Sequence, residues 1–273
     1  MRKFIILLVS LLCVYFYFEI HHRAHVRVFR VAVECDYPPH NWEESRQTES
    51  NVQISNVEGR YAEGYDIQIA KLVAESMGAT LEVKKIPWQE LADALNKREV
   101  DAIFSGMLDT SARRKVMSFS DVYDVQTSVY GVMVRKNGKY SNAGRLSDFI
   151  GASFVAQKDS NLDRAIAQIK GAIHLPPVVH VSEVFDKLIQ GEADATVLDL
   201  DSAGTYARVY PGFMMIRFEE GEGFKFDFTG VCAGVRKGDT KLLEEINKAL
   251  KGITKHDRQR IMDQAISRNW GNI

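Results

Sequence analysis

The feature that most constrains this chain is a regular alternation of two kinds of segment, which begins near Val26. VRVFRVAVE, ATLEVKKI and DAIFS are short and rich in apolar or β-branched residues, which predicts strands. Between them, GYDIQIAKLVAESMG spaces Ile67, Ala70, Ala74 and Met77 as one face of a helix, and WQELADALNKRE also favours a helix. Strands and helices that take turns are typical of a parallel α/β sheet.

The second half of the chain repeats one unit of the first. Residues 95–106, LNKREVDAIFSG, can be laid over residues 188–199, LIQGEADATVLD: a helix end, a turn, Asp-Ala and an apolar strand. A chain of 273 residues is long enough for two lobes. Gly106 and Asp199 would then end equivalent strands, and ligands of open α/β sheets bind outside such carboxyl ends.

Two further runs resemble each other and bracket the second block. They are SVYGVMVRKNG at 128–138 and TGVCAGVRKG at 229–238, and we predict that they form paired hinge strands between the lobes. The apolar stripe of DTKLLEEINKALKGI then predicts a helix that returns to the first lobe. The polar stretch from Asn41 to Gly64 has no clear period, which predicts a loop or a surface hairpin.

Composition narrows the function. The formal net charge of -1 gives no electrostatic basis for binding nucleic acid, so we expect a small-molecule partner. The chain has no Gly-rich phosphate loop, no HExxH, no clustered Cys/His spacing and no G-x-S-x-G. This favours binding without turnover, with no cofactor and no metal. Cys35 and Cys232 could pair or could be separate buried residues.

The N-terminus has the pattern of an export signal. Arg2 and Lys3 precede an apolar run over residues 4–18, which predicts an extracytoplasmic protein. No small-x-small cleavage site follows, so residues 1–25 are either a cleaved signal or a short anchor. Fifteen helical residues span only about 22 Å of a core about 30 Å thick, so an anchor would also need Glu19 and Ile20. We interpret the neighbouring histidines as a solvated face.

A receptor for a carboxylate is predicted after the strand DAIFS. Ser105 and Gly106 end this strand, and the planar guanidinium of Arg113 could pair both oxygens of a carboxylate. The alternative is that the basic run at 113–115 is a solvated helix start. Asp199 is the best-placed partner for an ammonium, with Asp201 as its competitor.

A third group of residues suits a planar cation. Glu34 ends the first strand, Tyr37 lies in the Pro-rich loop after it, and Trp88 opens the second helix. Two aromatic rings beside a carboxylate can hold a guanidinium or an imidazolium. The alternative is that both rings only cover the core.

Together these segments resemble the extracytoplasmic solute-binding proteins of amino-acid ABC transporters, in the branch for polar amino acids. The resemblance runs from about Val28 to Trp270. It rests on YPP at 37–39, GYDIQIAKLVAESMG, VDAIFSGM followed by Thr110 and Arg113, FSDVYD at 119–124 and GVRKGD at 234–239.

The resemblance implies a fold and partners. The fold would be two Rossmann-like α/β lobes joined by two hinge strands, the periplasmic binding protein type II arrangement. Residues 26–131 and 233–273 would form lobe 1, and residues 132–232 lobe 2. The lobes would close on a free amino acid, and a membrane ABC permease would receive the ligand from a monomeric protein.

The resemblance also implies ligand-binding roles. The family's carboxylate receptor falls on Ser105, Gly106 and Arg113, with a second-lobe hydroxyl at Ser160. Its ammonium partner falls on Asp199. Its aromatic sandwich falls on Tyr37 and Trp88, and its side-chain acid on Glu34. Three residues depart from the family pattern: Leu108 replaces a hydroxyl residue, Ala112 replaces an acid, and Asp159 adds a charge before Ser160.

Three functional classes remain open. Glu34 favours a basic ligand, arginine or lysine ahead of histidine, although an acid there can also accept from the amide of glutamine. An enzyme on the same scaffold, such as a dehydratase of aromatic precursors, would need a general acid besides Glu34. A sensor domain is disfavoured because no signalling domain follows in the sequence.

Overall fold

The structure is a computed structural model that describes residues 27–124, 130–219, 221–226, 228 and 230–268. The predicted signal or anchor lies outside these residues. Within them, no helix is both long and apolar enough to cross a membrane. The strands are β1 Arg27–Val33, β2 Asp36–Tyr37, β3 Asn41–Glu44, β4 Val52–Gln53, β5 Tyr61–Glu63, β6 Ala79–Lys85, β7 Ala102–Ile103, β8 Met117–Phe119, β9 Tyr130–Arg135, β10 Ser153–Phe154, β11 Ile173–His174, β12 Ala195–Asp199, β13 Phe213–Ile216 and β14 Gly234–Arg236.

Seven α-helices lie in the described part of the chain. They are α1 Tyr65–Ser76, α2 Leu91–Asn96, α3 Asn161–Ile166, α4 Val181–Gln190, α5 Leu200–Val209, α6 Thr240–Gly252 and α7 Lys255–Ser267. Short 3-10 turns occupy Trp88–Glu90, Arg113–Lys115 and Leu146–Phe149. The segments that alternate in the sequence therefore form strands and helices in the predicted order.

Two five-stranded sheets and one four-stranded sheet carry the fold. The strand order of the first is β6-β1-β7-β14-β8, and that of the second is β11-β10-β12-β9-β13. Helices cover both, which confirms the α/β class with two lobes. The sheets are mixed rather than purely parallel, because β14 and β8 in the first and β9 and β13 in the second include antiparallel pairings. The polar stretch predicted as a loop or hairpin supplies three strands of the third sheet, β2-β3-β5-β4.

The described parts of the two predicted hinge runs belong to different sheets, and an antiparallel bridge between Asp124 and Val231 pairs the second run with the segment just before the first. β9 bonds to β12 and β13 in the second sheet, whereas β14 bonds to β7 and β8 in the first. Each run is apolar because it is buried within a sheet of its own. Residues 125–129, 220, 227 and 229, next to these runs, lie outside the described part, so the lobe boundaries stay predictions.

The internal repeat is confirmed in detail. In both copies a helix, a turn and a strand follow one another, as α2 to β7 and as α4 to β12. Asp101 and Asp194 match: each carboxylate accepts from the backbone N–H of the neighbouring strand, at Arg30 (3.0 Å) and Ser153 (2.9 Å). The backbone N–H of each aspartate in turn donates to the carbonyl of that same strand residue, Asp101 to Arg30 (2.8 Å) and Asp194 to Ser153 (3.0 Å). The two copies therefore dock on their sheets in the same way.

Apolar packing holds each sheet to its helices. Phe29 and Phe104 meet edge to face beneath α1, with ring centroids 6.2 Å apart. Helix α6 packs on α1 as predicted, and its Ile246 and Leu250 are fully buried. Cys35 and Cys232 are both free and buried, so the alternative of separate apolar residues is the one found.

The turn of the repeat gives a reciprocal prediction. Arg98 (φ +64°) and Gly191 (φ +79°) are equivalent and both left-handed, a conformation that costs a side-chain-bearing residue about 1 kcal/mol. We expect Gly191→Ala to lower the free energy of unfolding by about 1 kcal/mol and Arg98→Gly to raise it by up to that amount.

Urea unfolding followed by circular dichroism measures both changes. Gly212→Ala is the matched control, because Gly212 has an ordinary φ and open space around its Cα. An equal loss in the control and in Gly191→Ala would contradict the conformational explanation.

Candidate functional site

One cavity gathers all eight residues that the sequence nominates. It lies where β1, β7, β10 and β12 end, between the two five-stranded sheets. Its wall contains Glu34, Tyr37, Trp88, Ser105, Gly106, Arg113, Ser160 and Asp199, together with Leu108, Tyr130, Gln157, Asn161 and Leu162. Strand ends of both sheets thus form one pocket.

Asp66, at the start of α1, fixes the first-sheet side of this pocket. Its buried carboxylate accepts from the side-chain amide of Asn41 (2.8 Å), the hydroxyl of Tyr123 (2.6 Å) and the backbone N–H of Gly106 (2.8 Å). The nomination of the Gly106 amide as a carboxylate donor is therefore corrected, because that N–H is already donated to Asp66. Gly106 instead lets the backbone approach the pocket closely: its φ is +57°, and an added Cβ would lie only 3.3 Å from the Tyr37 ring.

Two serine hydroxyls lie at helix and strand ends. Ser105 Oγ accepts from the Glu34 N–H at 3.0 Å, and Ser160 Oγ caps α3 by accepting from the Asp163 N–H at 3.0 Å. Because each oxygen accepts a bond, each hydroxyl hydrogen can still be donated to an anion. Asp159, which could have repelled a carboxylate, is exposed.

Arg113 is the cation of the pocket. Its guanidinium donates to the Leu108 carbonyl (3.0 Å) and stacks 4.9 Å from the centre of the Trp88 ring. No carboxylate pairs with Arg113 among the described residues, and burial together with Arg164 lowers its pKa to about 10. The solvated reading of the basic run holds for Arg114, which is exposed and paired with Asp109, and is wrong for Arg113.

Asp199 ends β12 and caps α5. One carboxylate oxygen accepts from the Ser202 N–H at 2.9 Å, and the other accepts from the Tyr37 hydroxyl across the cleft. Burial opposes ionisation, but His40 and the Ser202 N–H outweigh it and keep the pKa of Asp199 below its usual value. Asp201 lies outside the pocket wall, and burial raises its pKa to about 6. Asp199 is therefore the better partner for an ammonium.

Glu34 is the buried acid of the pocket. It is 4% exposed and accepts from the side-chain amide of Gln157, which comes from the other sheet. Burial first, and the nearby charge of Asp36 second, raise its pKa to about 8. No cationic side chain forms an ion pair with Glu34 in the part of the chain that the structure describes.

The two predicted aromatic residues both line the pocket, but each faces a different neighbour. Tyr37 stacks on His40, with ring centroids 5.4 Å apart, and Trp88 faces Arg113. A sandwich of a ligand between Tyr37 and Trp88 stays a prediction. Both residues are partly exposed into the pocket, so they do more than cover the core.

Sequence reasoning missed three residues here. Gln157 follows β10, so the strand-end rule that found Asp199 could also have found it. Tyr130 begins β9 opposite Asp199 in the strand register. His40, behind Tyr37, has no signal in the sequence that separates it from a core histidine.

A cleft between two α/β lobes, lined by an arginine and a glutamate from one and an aspartate from the other, defines the class of a two-lobed receptor for a small polar solute. Comparisons with known proteins agree. A probable histidine-binding protein of Neisseria gonorrhoeae is 27% identical over 83% of this chain and 78% of its own length. An arginine-binding extracellular protein of Bacillus subtilis is 28% identical over 71% and 73%.

Solved structures show the same fold. An ancestral arginine-binding protein bound to arginine superposes with a TM-score of 0.72 at 26% identity, over 88% of this chain and 99% of its own. An ancestral arginine-binding protein bound to glutamine also gives a TM-score of 0.72 at 26% identity, over 90% of this chain and 100% of its own. The family model for bacterial extracellular solute-binding proteins, family 3, matches residues 29–270. This chain belongs to that family.

The isolated charge of Arg113 gives a prediction with two opposite effects. We expect Arg113→Met to weaken ligand binding at least 100-fold, because it removes the cation that would pair a carboxylate. The same change should leave the ligand-free protein as stable or up to about 2 kcal/mol more stable, because a partly buried charge without a carboxylate partner among the described residues is lost.

Calorimetric titration and thermal unfolding measure the two effects. Arg114→Met is the matched control, since that neighbour is exposed, and we expect about 0.5 kcal/mol or less in stability and unchanged binding. Retained binding in Arg113→Met would show that Arg113 does not contact the ligand.

Proposed function

We propose that this protein captures a basic amino acid, arginine or lysine ahead of histidine, and delivers it to the permease of an ABC importer. The observation that carries the proposal is Glu34, a buried acid inside the pocket that has a hydrogen-bond donor but no cationic partner among the described residues. A guanidinium or ammonium on the ligand would supply the missing charge.

The rest of the pocket suits the common part of an amino acid. The ligand carboxylate would pair with Arg113 and accept from the hydroxyls of Ser105 and Ser160. The ligand ammonium would bind Asp199. Because Arg113 and Ser105 come from one lobe and Ser160 and Asp199 from the other, the ligand would bridge the cleft and favour the closed form.

The comparisons support an amino acid as the solute, because the relatives are named for histidine and arginine, and ancestral arginine-binding proteins were solved with arginine and with glutamine. We further propose that the protein acts as an extracytoplasmic monomer and binds its ligand without chemical conversion.

Glutamine is the second candidate, and a specific observation favours it. With a pKa raised to about 8, the Glu34 carboxyl is mostly protonated at neutral pH, so it can donate to the amide oxygen of a neutral side chain. The two candidates thus require different protonation states of one residue.

A thermal-shift screen of the full chain with each of the twenty amino acids tests the class of ligand. A ligand at 100 times its dissociation constant adds about 2.7 kcal/mol, a shift of several degrees. We expect arginine and lysine to give the largest shifts. If no amino acid shifts the midpoint, the ligand is of another class and the enzyme reading returns.

The pH dependence of affinity distinguishes a charged from a neutral ligand. A cation needs Glu34 ionised, so the association constant of arginine should rise with pH, by up to about tenfold per unit, and level off above the Glu34 pKa of about 8. Glutamine needs no ionisation of Glu34, so its affinity should gain nothing from that group as the pH rises. Titrations between pH 6 and 8.5 give both profiles, and parallel profiles would contradict this role of Glu34.

Glu34→Gln tests the same residue by substitution. We expect it to weaken arginine by about 2 kcal/mol or more, because a buried charge pair is lost, and to change glutamine affinity much less. Glu90→Gln is the matched control, since Glu90 is exposed beside Trp88. Unchanged arginine affinity in Glu34→Gln would exclude a cation at this position.

A further inference from the structure

His40 lies directly behind the wall of the pocket. Its ring is fully buried and stacks on Tyr37, and a Cβ added to Gly106 would approach the ring to 3.8 Å. Its backbone is held in place, because the His40 carbonyl accepts from the Asp66 N–H at 2.8 Å. Gly64 is required beside it, since a Cβ there would lie 2.4 Å from the same carbonyl. The imidazole therefore has a fixed position.

Acidic groups surround this ring. Nε2 is 3.9 Å from Asp199 Oδ1, and Nδ1 is 3.9 Å from Asp124 Oδ2. Neither ring nitrogen has a hydrogen-bond partner among the described residues. The titratable groups that face the ring from the elements around it are Tyr37, Tyr65, Asp66, Asp124, Asp199 and Asp201.

We propose that His40 is a positioning residue of the ligand site, a buried imidazolium that balances the charge of Asp199 and releases its proton to solvent when the ligand ammonium binds there. The inference rests on the proposed function, because it takes the ammonium to be that of an amino acid. The only bond broken is one N–H of the imidazolium, whose proton passes to water or buffer, and the ring is left neutral.

The electrostatic balance explains both states. Burial alone would favour a neutral ring, but Asp199, Asp66 and Asp124 outweigh it and raise the pKa of His40 to about 9. A ligand ammonium on Asp199 would place a second cation roughly 5–6 Å from the ring. At that separation the repulsion is large enough to lower the His40 pKa by about two units. The ligand ammonium then balances the charge of Asp199 in place of the imidazolium.

Proton counting tests the release. Calorimetric titrations with L-arginine and L-glutamine at pH 7.5, in buffers of different ionisation enthalpy, give the protons released per ligand. Glu34 could also release a proton to a cationic ligand, so four proteins are compared: wild type, Glu34→Gln, His40→Phe and the double variant.

We expect His40 to contribute about 0.7 of a proton per ligand at this pH, because a pKa that falls from about 9 to about 7 takes the ring from almost fully protonated to about one-quarter protonated. Release should persist in Glu34→Gln and fall by that amount in His40→Phe, and the double variant should release none. A release that is the same in wild type and in His40→Phe, with both ligands, would overturn the inference, since a merely structural ring exchanges no proton.

A second measurement needs no ligand. The folded pKa of His40 lies above the usual value of 6.5, so its charge stabilises the fold fully below pH 6.5 and this stability is lost as the pH rises through about 9. Across that window the unfolding equilibrium constant of wild type should grow by up to about tenfold per pH unit relative to His40→Phe.

His40→Gln serves as a second neutral variant if the phenylalanine disturbs packing. Parallel stability profiles of wild type and both variants would show that His40 is not charged in the fold. If no amino acid binds, the release step fails together with the proposed function. Binding without release from His40 removes this inference alone and leaves the proposed function standing.

Discussion

The pocket depends on one buried carboxylate, that of Asp66. It joins the start of α1, the first residue of β3, the segment that follows β7 and the segment at Tyr123 through three hydrogen bonds. Burial raises its pKa, while His40, Tyr123, Asn41 and Gly106 oppose that rise. Burying a carboxylate costs free energy, and here its hydrogen bonds offset that cost while they hold the backbone around it in place. The left-handed turn at Gly106, and with it the close approach of backbone to the pocket, follows from this arrangement.

Around this framework the pocket separates charges instead of pairing them. Among the described residues, Arg113 contacts the ring of Trp88 and the carbonyl of Leu108 but pairs with no carboxylate. Glu34 accepts from the amide of Gln157 but pairs with no cationic side chain there. Asp199 differs, because the nearby His40 and the hydrogen bond from Tyr37 both stabilise its ionised form and lower its pKa. The polar groups are therefore arranged for a solute that carries its own positive and negative groups, and the protein has desolvated its side of each pair in advance.

Much of this could be predicted from sequence because it follows from period and repetition. The alternation of segments determined the α/β class, and the repeat placed Gly106 and Asp199 at equivalent strand ends. The strand partners of β9 and β14 could not be predicted, because an apolar run does not reveal which sheet buries it. The loss of the Gly106 amide to Asp66 and the acidic surroundings of His40 depend on side chains brought together from distant segments, so no local pattern indicates them. Gln157 was within reach of the strand-end rule and was overlooked.

Two hydrogen bonds cross the cleft and end on carboxylates that we propose bind the ligand: one from Tyr37 to Asp199, and one from Gln157 to Glu34. A solute that occupies those groups must exchange bonds rather than add them, so its net gain is the difference between two satisfied arrangements. Selectivity then depends on how well a solute replaces what the protein already provides, and a poor replacement is rejected even if it fits. The same exchange makes release easier, because the receptor can restore its own bonds as the solute departs towards the membrane.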